Sequence, residues 1–202
     1  MATLPSSVFS WLANVYYSPD ILASIREQIA PAAGLKLLDV PCGTGTLHSI
    51  CLPCEYQGVD INPVRVDVAR KALGPGLAIR HGDASALDLP DSAVDRILAA
   101  GLFHHVKDEL AVRILDEFAR VLKPEGHVVV FEAIWPRNRA NLFGRIMRHM
   151  DDGKFVRQPE AYGALFKKRF STRARSFPAR LGLDYLLETL VPRKKQGADC
   201  GA

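Results

Sequence analysis

The sequence predicts an α/β fold built on buried parallel strands, and three observations carry that reading. Short apolar, β-branched runs alternate with segments of helical periodicity along most of the chain. One of these runs, Leu35-Lys-Leu-Leu-Asp-Val40, breaks into a turn holding Gly43 and Gly45, after which apolar spacing resumes. The length of 202 residues, with 48% hydrophobic and 24% charged side chains, matches one globular domain with a full core.

The glycine turn is the first place where chemistry shows. A strand that delivers a tight glycine loop to a helix start forms an anion-tolerant cradle, because Gly43 and Gly45 let backbone N–H groups approach a ligand that any Cβ would push away. The dinucleotide pattern G-x-G-x-x-G needs glycine where His48 stands, and no Gly-Lys-Ser/Thr follows to make a Walker loop. What remains, Asp39-Val-Pro41-Cys-Gly43-Thr-Gly45, resembles motif I of the class I S-adenosylmethionine-dependent methyltransferases.

Taken in order, the chain opens with an amphipathic stretch over residues 7 to 30, interrupted at Ser18-Pro19-Asp20, which predicts two helices joined by a cap. In small proteins of the resembled family such a helical cap, here about residues 5–30, often lies over the cofactor. Tyr16 and Tyr17 are therefore candidates for contact with the methionine moiety or the substrate, with core packing as the competing role. Pro31 to Gly34 breaks the helix ahead of the first strand, and Pro53 cuts short the helix after Gly45.

Glu55 to Asp60 reads as a second strand ending in an acid, followed by a helix from Pro63 to Leu73. An acid at such a tip can accept from both hydroxyls of a ribose. Asp60, with Ile61 after it, is the leading ligand position. A third strand, Leu77 to Arg80, leads to His81-Gly82-Asp83-Ala84, which resembles the family's G-D-A segment; Asp83 can accept from an adenine amine and the Ala84 N–H can donate to a ring nitrogen. Three strand tips in register, at Asp39, Asp60 and Asp83, then suit three parts of one nucleoside.

The fourth strand, Val94 to Ala100, ends in Ala99-Ala100-Gly101-Leu-Phe-His104-His105. Small residues at Ala100 and Gly101 allow a cofactor to lie against the backbone. His104 and His105 stand at the edge where ligands bind in open α/β sheets, and either can serve as a base toward an acceptor hydroxyl or amine; a structural or cofactor-side duty competes, and the residues alone do not choose between the two rings.

A helix from Asp108 to Leu122 and a fifth strand, His127 to Glu132, follow, joined by Lys123-Pro-Glu-Gly126. This turn is similar to the family's L-K-P-G-G, with Glu125 in place of the first glycine. The resemblance covers about residues 35 to 133. It implies a Rossmann-like seven-stranded, mostly parallel sheet of order 3-2-1-4-5-7-6 with helices on both faces, and S-adenosyl-L-methionine as cofactor.

Beyond Glu132, Ile134 to Met150 reads as an amphipathic basic helix, and a loop from Asp151 runs into a further helix ending near Phe170. In the family this insertion, about residues 134–170, usually forms a lid over the substrate. Arg157 and Tyr162 are candidates for substrate contact, with a capping arginine and a buried tyrosine as the alternative. Two strands around Pro178 to Asp184 close the sheet, within one domain over residues 1–195, and 196–202 read as a tail.

Residues 137 to 202 hold 15 Lys/Arg against 6 Asp/Glu, although the whole chain is only +4. That field favours an anionic small-molecule acceptor or peripheral membrane contact, or is a solvated surface. Nucleic acid is disfavoured, because aromatic residues are not interleaved with the basic ones and Ala-Ala-Gly-Leu stands where amino-group nucleic-acid methyltransferases carry N/D-P-P-Y/F. Cys51-Leu-Pro-Cys54 lacks a second ligand pair, so these are packing residues and no metal is expected. With no basic-then-apolar N-terminal segment and no apolar run of about 18 residues, the expectation is a cytoplasmic protein with reduced cysteines. The activity expected is methyl transfer to an oxygen, nitrogen or carbon nucleophile, with a membrane-associated lipid or quinone acceptor, or a non-catalytic cofactor-binding module, as rivals.

Overall fold

The computed structural model describes residues 17–151 and 153–193. The predicted helix before Ser18, with Tyr16, and the tail lie outside the described residues. Helix α1 (Pro19–Ile29) precedes β1 (Lys36–Asp39), a single-turn α2 (His48–Cys51), β2 (Glu55–Asp60), α3 (Pro63–Leu73), β3 (Ala78–His81) and β4 (Val94–Ala100). Then come α4 (Asp108–Val121), β5 (Leu122–Ala133), α5 (Leu142–His149), α6 (Pro159–Phe166), β6 (Phe170–Ser176), β7 (Ala179–Arg180) and β8 (Leu183–Pro192).

The strands form one sheet of order β3-β2-β1-β4-β5-β8-β6, with β8 antiparallel to both neighbours and two-residue β7 attached to β8. This is the expected order, with β8 in the seventh-strand place. Alternation along the strands feeds two cores. Leu38, Ile97, Val128 and Val130 face α4 and α6. Leu37, Leu98, Val129 and Phe131 pack with α1 and α3 on the other side. Helix starts follow from local chemistry: Ser18 Oγ caps Ile21 N at 3.4 Å, and Asn62 Oδ1 accepts from Val64 N and Arg65 N.

Two expectations change. Strand β5 starts at Leu122, and its pairing with β4 jumps from Val94↔Leu122 to Arg96↔His127, so Lys123 to Gly126 forms a bulge at the amino end of the ladder. Glu125 is exposed there, whereas a Cβ on Gly126 would stand 2.8 Å from the Asp95 carbonyl oxygen; the second glycine of the turn, not the first, is sterically required.

The single helix expected over 134–150 is also shorter. Ile134 N donates to Asp184 O and Trp135 N to Arg157 O, and Pro136 has no N–H to offer. This segment therefore stays non-helical, passing through a bend and turn over residues 137–140, until Asn141, whose Oδ1 accepts from Gly144 N and starts α5.

His127 is 2% exposed, with Nε2 2.9 Å from Gln28 O. Burial, reinforced by the Arg96 charge, lowers its pKa to about 4. The unfolded chain takes up this proton near pH 6.5 while the native chain refuses it, so stability is lost as pH falls from about 6.5 toward 4. Urea titrations at pH 7 and pH 4.5 should show His127→Gln losing less stability on acidification than the parent, by roughly 2 to 3 kcal/mol.

Candidate functional site

A cleft of ≈ 180 Å³ opens at the carboxyl ends of β1, β2 and β4. It lies where the strand order reverses direction, the place at which open α/β sheets bind ligands. Tyr17, Pro41, Gly43, Asp60, Ala100 and Gly101 line it together with Thr44 and Arg65. Six residues singled out from the sequence are thus brought to one surface.

A smaller hollow of ≈ 90 Å³ next to it is lined by Val59, His81, Gly82 and Asp83 among others. Val59 lines the smaller hollow and Asp60, the next residue of β2, lines the cleft. Ala84 is half-buried, Asp83 is exposed with Oδ1 holding Ser85 N at 2.8 Å, and Ile61 stands 67% exposed.

The glycine loop has the conformation its sequence demands. Gly43 and Gly45 adopt φ +53° and +83°. A Cβ on Gly43 would meet nothing within 4 Å, so the space above this backbone is free. At Gly45 the requirement is inward: a Cβ would sit 2.6 Å from Leu73 Cδ1 on α3.

Asp60 is 2% exposed, and each of its carboxylate oxygens holds one backbone N–H, Gly43 N on Oδ2 and Asn62 N on Oδ1, both at 2.8 Å. It braces the two loops against each other. Each oxygen keeps a lone pair for a further donor, so bracing does not preclude ligand binding.

Asp39 lies deeper, 1% exposed; Oδ2 accepts from Tyr56 Oη at 2.7 Å and Oδ1 has no partner among the described residues. Burial pushes its carboxyl up to about 7, against the Tyr56 hydrogen bond and with the Asp60 charge adding to the rise. A half-satisfied, proton-hungry acid beneath an open glycine loop is a setting that a nearby cation relieves. A nucleoside bearing a positively charged tail fits these residues.

The structure separates the two histidines. His104 is 8% exposed, its Nδ1 2.6 Å from Glu132 Oε2 and its Nε2 3.8 Å from Asp151 Oδ1. Burial opposes its protonation, but the Glu132 charge and hydrogen bond, with Asp151 adding, raise its pKa above the ordinary value. Glu132, fully buried, also accepts from Leu102 N at 2.7 Å and Phe103 N at 2.6 Å.

His105 is exposed, and its ring centroid lies 4.0 Å from that of His104. Partial burial and the His104 charge lower its pKa. Neither Glu132 nor Asp151 received a role from the sequence. The signal for Glu132 was present, a charge at the end of the apolar run Val-Val-Val-Phe.

Arg157 and Tyr162 take the structural alternatives. The Arg157 side chain is 10% exposed; it donates to Phe103 O at 2.5 Å and Val106 O at 2.8 Å, and pairs with Asp108 at 2.6 Å. All of these partners are framework groups. Tyr162 is fully buried and donates to Ala133 O at 3.1 Å, which leaves it no surface for a substrate. Proximity to the insertion misled here, because sequence position does not fix side-chain direction.

Comparison with known proteins agrees with this fold. Residues 38–130 match the model of a methyltransferase domain family. The demethylmenaquinone methyltransferase of Bacillus licheniformis is 30% identical over 168 residues, covering 77% of this chain and 69% of that protein. An uncharacterised methyltransferase-like protein of Schizosaccharomyces pombe is 38% identical over 93 residues, 45% of this chain and 35% of its own length. The chain spans about a third to a half of the length of several curated relatives it matches. Among solved structures, the geranyl diphosphate C-methyltransferase of Streptomyces coelicolor A3(2), in complex with Mg2+, geranyl diphosphate and S-adenosyl-L-homocysteine, superposes with a TM-score of 0.70 at 13% identity, over 85% of this chain and 79% of that one.

Replacing Asp60 by Ala should weaken S-adenosylmethionine binding by about 1.5 to 3 kcal/mol in calorimetry, as expected for loss of charge-assisted hydroxyl contacts. Unchanged affinity with a lowered melting temperature would assign Asp60 to loop bracing alone.

Proposed function

Because the chain belongs to the class I S-adenosylmethionine-dependent methyltransferases, we propose that it transfers the activated methyl group to an oxygen, nitrogen or carbon nucleophile of a small-molecule acceptor. The observation that carries this reading is the cleft at the strand-order reversal, in which Gly43, Asp60 and Gly101 converge. S-adenosylmethionine, when bound, supplies a methyl group on a sulfonium, already a good leaving group. The chain's own tasks are then to hold, align and dehydrate.

Gly43 offers its uncrowded backbone, and Asp60 and Asp83 offer acceptors suited to ribose and adenine respectively. Gly101 and Ala100 keep the β4 side of the cleft shallow. Tyr17, half-buried with its ring 5.7 Å from that of Phe131, walls the side toward α1.

His105 is our candidate for the group that receives the acceptor's proton. A base must be neutral and reachable; its lowered pKa and exposed ring suit both conditions, whereas the pKa of His104 is raised and its ring is enclosed by Glu132 and Asp151. His104 positions its neighbour through a tilted ring contact and keeps the turn that carries both rings in place.

The acceptor is a small molecule, with the excess of basic side chains after residue 136 favouring an anionic one. A second reading, an apolar quinone-like or lipid acceptor, draws on the named activity of the Bacillus relative and on the apolar outer face of α5.

Methyl release measured over a panel of acidic and quinone-like acceptors tests the activity; tight cofactor binding without turnover on any acceptor in cell extract would favour a non-catalytic module. On an active acceptor, His105→Gln should lower kcat by about 100-fold or more with cofactor affinity intact. His104→Ala should instead lower the unfolding free energy by roughly 3 kcal/mol, since it strands Glu132. Its stabilising pair is fully formed below about pH 6.5 and is lost as pH rises through the raised native pKa, so this loss should be largest on the acid side.

Asp39 adds a pH signature. A cationic ligand favours its ionised form, so affinity for S-adenosylmethionine should rise as pH increases through about 7, and Asp39→Asn should flatten that dependence in calorimetric titrations.

A further inference from the structure

Helix α5 is folded with its apolar side outward. Leu142, Phe143, Ile146 and Met150 stand 59 to 73% exposed, while the buried positions of this segment are Gly144 and Arg148. At 100° per residue the four apolar side chains occupy one arc of the helix.

The inversion is enforced by Arg148, which is 4% exposed. It donates from Nε to Ile134 O at 3.1 Å and from Nη2 to Asp184 O at 2.7 Å, pairs with Asp151 at 3.2 Å, and stacks over the Tyr185 ring. An arginine satisfied this fully cannot rotate outward cheaply. The apolar arc is therefore left to solvent by construction.

Beside it, the turn between β7 and β8 adds Leu181, 63% exposed and at φ +52°, a conformation that costs a branched side chain strain. The turn is locked to α5 by Asn141 Nδ2 donating to Gly182 O at 2.6 Å. A strained, exposed leucine extends the same patch.

Charge selects the occupant. Arg139 and Arg145 are exposed and make no ion pair among the described residues, whereas Asp151 is turned inward to Arg148. A second copy of this chain on the same patch would oppose like charges. An anionic lipid surface offers hydrocarbon for the leucine, isoleucine, phenylalanine and methionine side chains and phosphate for the arginines.

We propose that α5 and the β7–β8 turn form an interfacial docking surface for anionic bilayers. The inference stands on α5, its turn and the flanking arginines, and does not depend on which acceptor is methylated. Docking would bear on the site, because Asp151, next to α5, contacts both Arg148 and His104.

Flotation of the full chain with vesicles of phosphatidylcholine, alone or mixed with phosphatidylglycerol, tests it. Binding should be at least about tenfold stronger to the mixed vesicles and should weaken with salt. Leu142→Gln with Ile146→Gln should reduce it on the order of tenfold, with melting temperature and S-adenosylmethionine affinity unchanged. Arg139→Gln with Arg145→Gln should cut it similarly and remove most of the salt dependence. Failure to float with the mixed vesicles would overturn the proposal. Binding indifferent to both pairs, or a dimer in sedimentation that Leu142→Gln and Ile146→Gln dissolve without any vesicle binding, would do the same.

Discussion

The buried carboxylate of Glu132 is the constraint on which the catalytic edge of this protein depends. A charge with no exposed surface is tolerable only when its lone pairs are filled, and this one collects Leu102 N, Phe103 N and the His104 ring. In doing so it fixes the chain as it leaves β4, where a parallel strand has no ladder left to guide it. Phe155 N then donates to His104 O, and Arg157 bonds the carbonyls of Phe103 and Val106, so the segment after α5 closes on the same turn. One acid at the end of β5 thereby organises two loops distant in sequence.

Asp39 and Asp60 solve the same problem in different ways. Asp60 is paid with two backbone N–H groups, and the glycine loop is braced as a result. Asp39 is left with one oxygen unpartnered among the described residues and a carboxyl pushed toward neutrality. Stability would favour satisfying both. That only the one nearer the solvent cleft is satisfied means that the deeper one stores an unmet preference for positive charge, which a sulfonium-bearing ligand can answer.

Much of this was legible in the sequence because the signals were local and chemically unusual. An acid ending an apolar run, as at Asp39, Asp60 and Glu132, conflicts with burial unless it has a use, and glycines after a strand imply a close backbone approach. The strand order was implied by the family resemblance that these motifs carry. What escaped was decided by tertiary contacts. Nothing in the sequence tells that Arg157 turns toward backbone carbonyls, that Tyr162 is enclosed, or that Trp135 N is taken by Arg157 O before a helix can start. The periodicity of 142–150 was visible, but which face of that helix meets the core was set by Arg148.

The bulge between β4 and β5 has a consequence for how the fold tolerates change. The ladder breaks after Val94↔Leu122 and resumes in uninterrupted register from Arg96↔His127 to Ala100↔Phe131. Length differences in the connection are therefore absorbed at the end of the sheet opposite the cleft, and the strands arrive at Gly101 and Glu132 in step. Pro124 and Glu125, both exposed on that bulge, make it a natural grafting point where a label or an inserted peptide can be carried at a distance from the ligand.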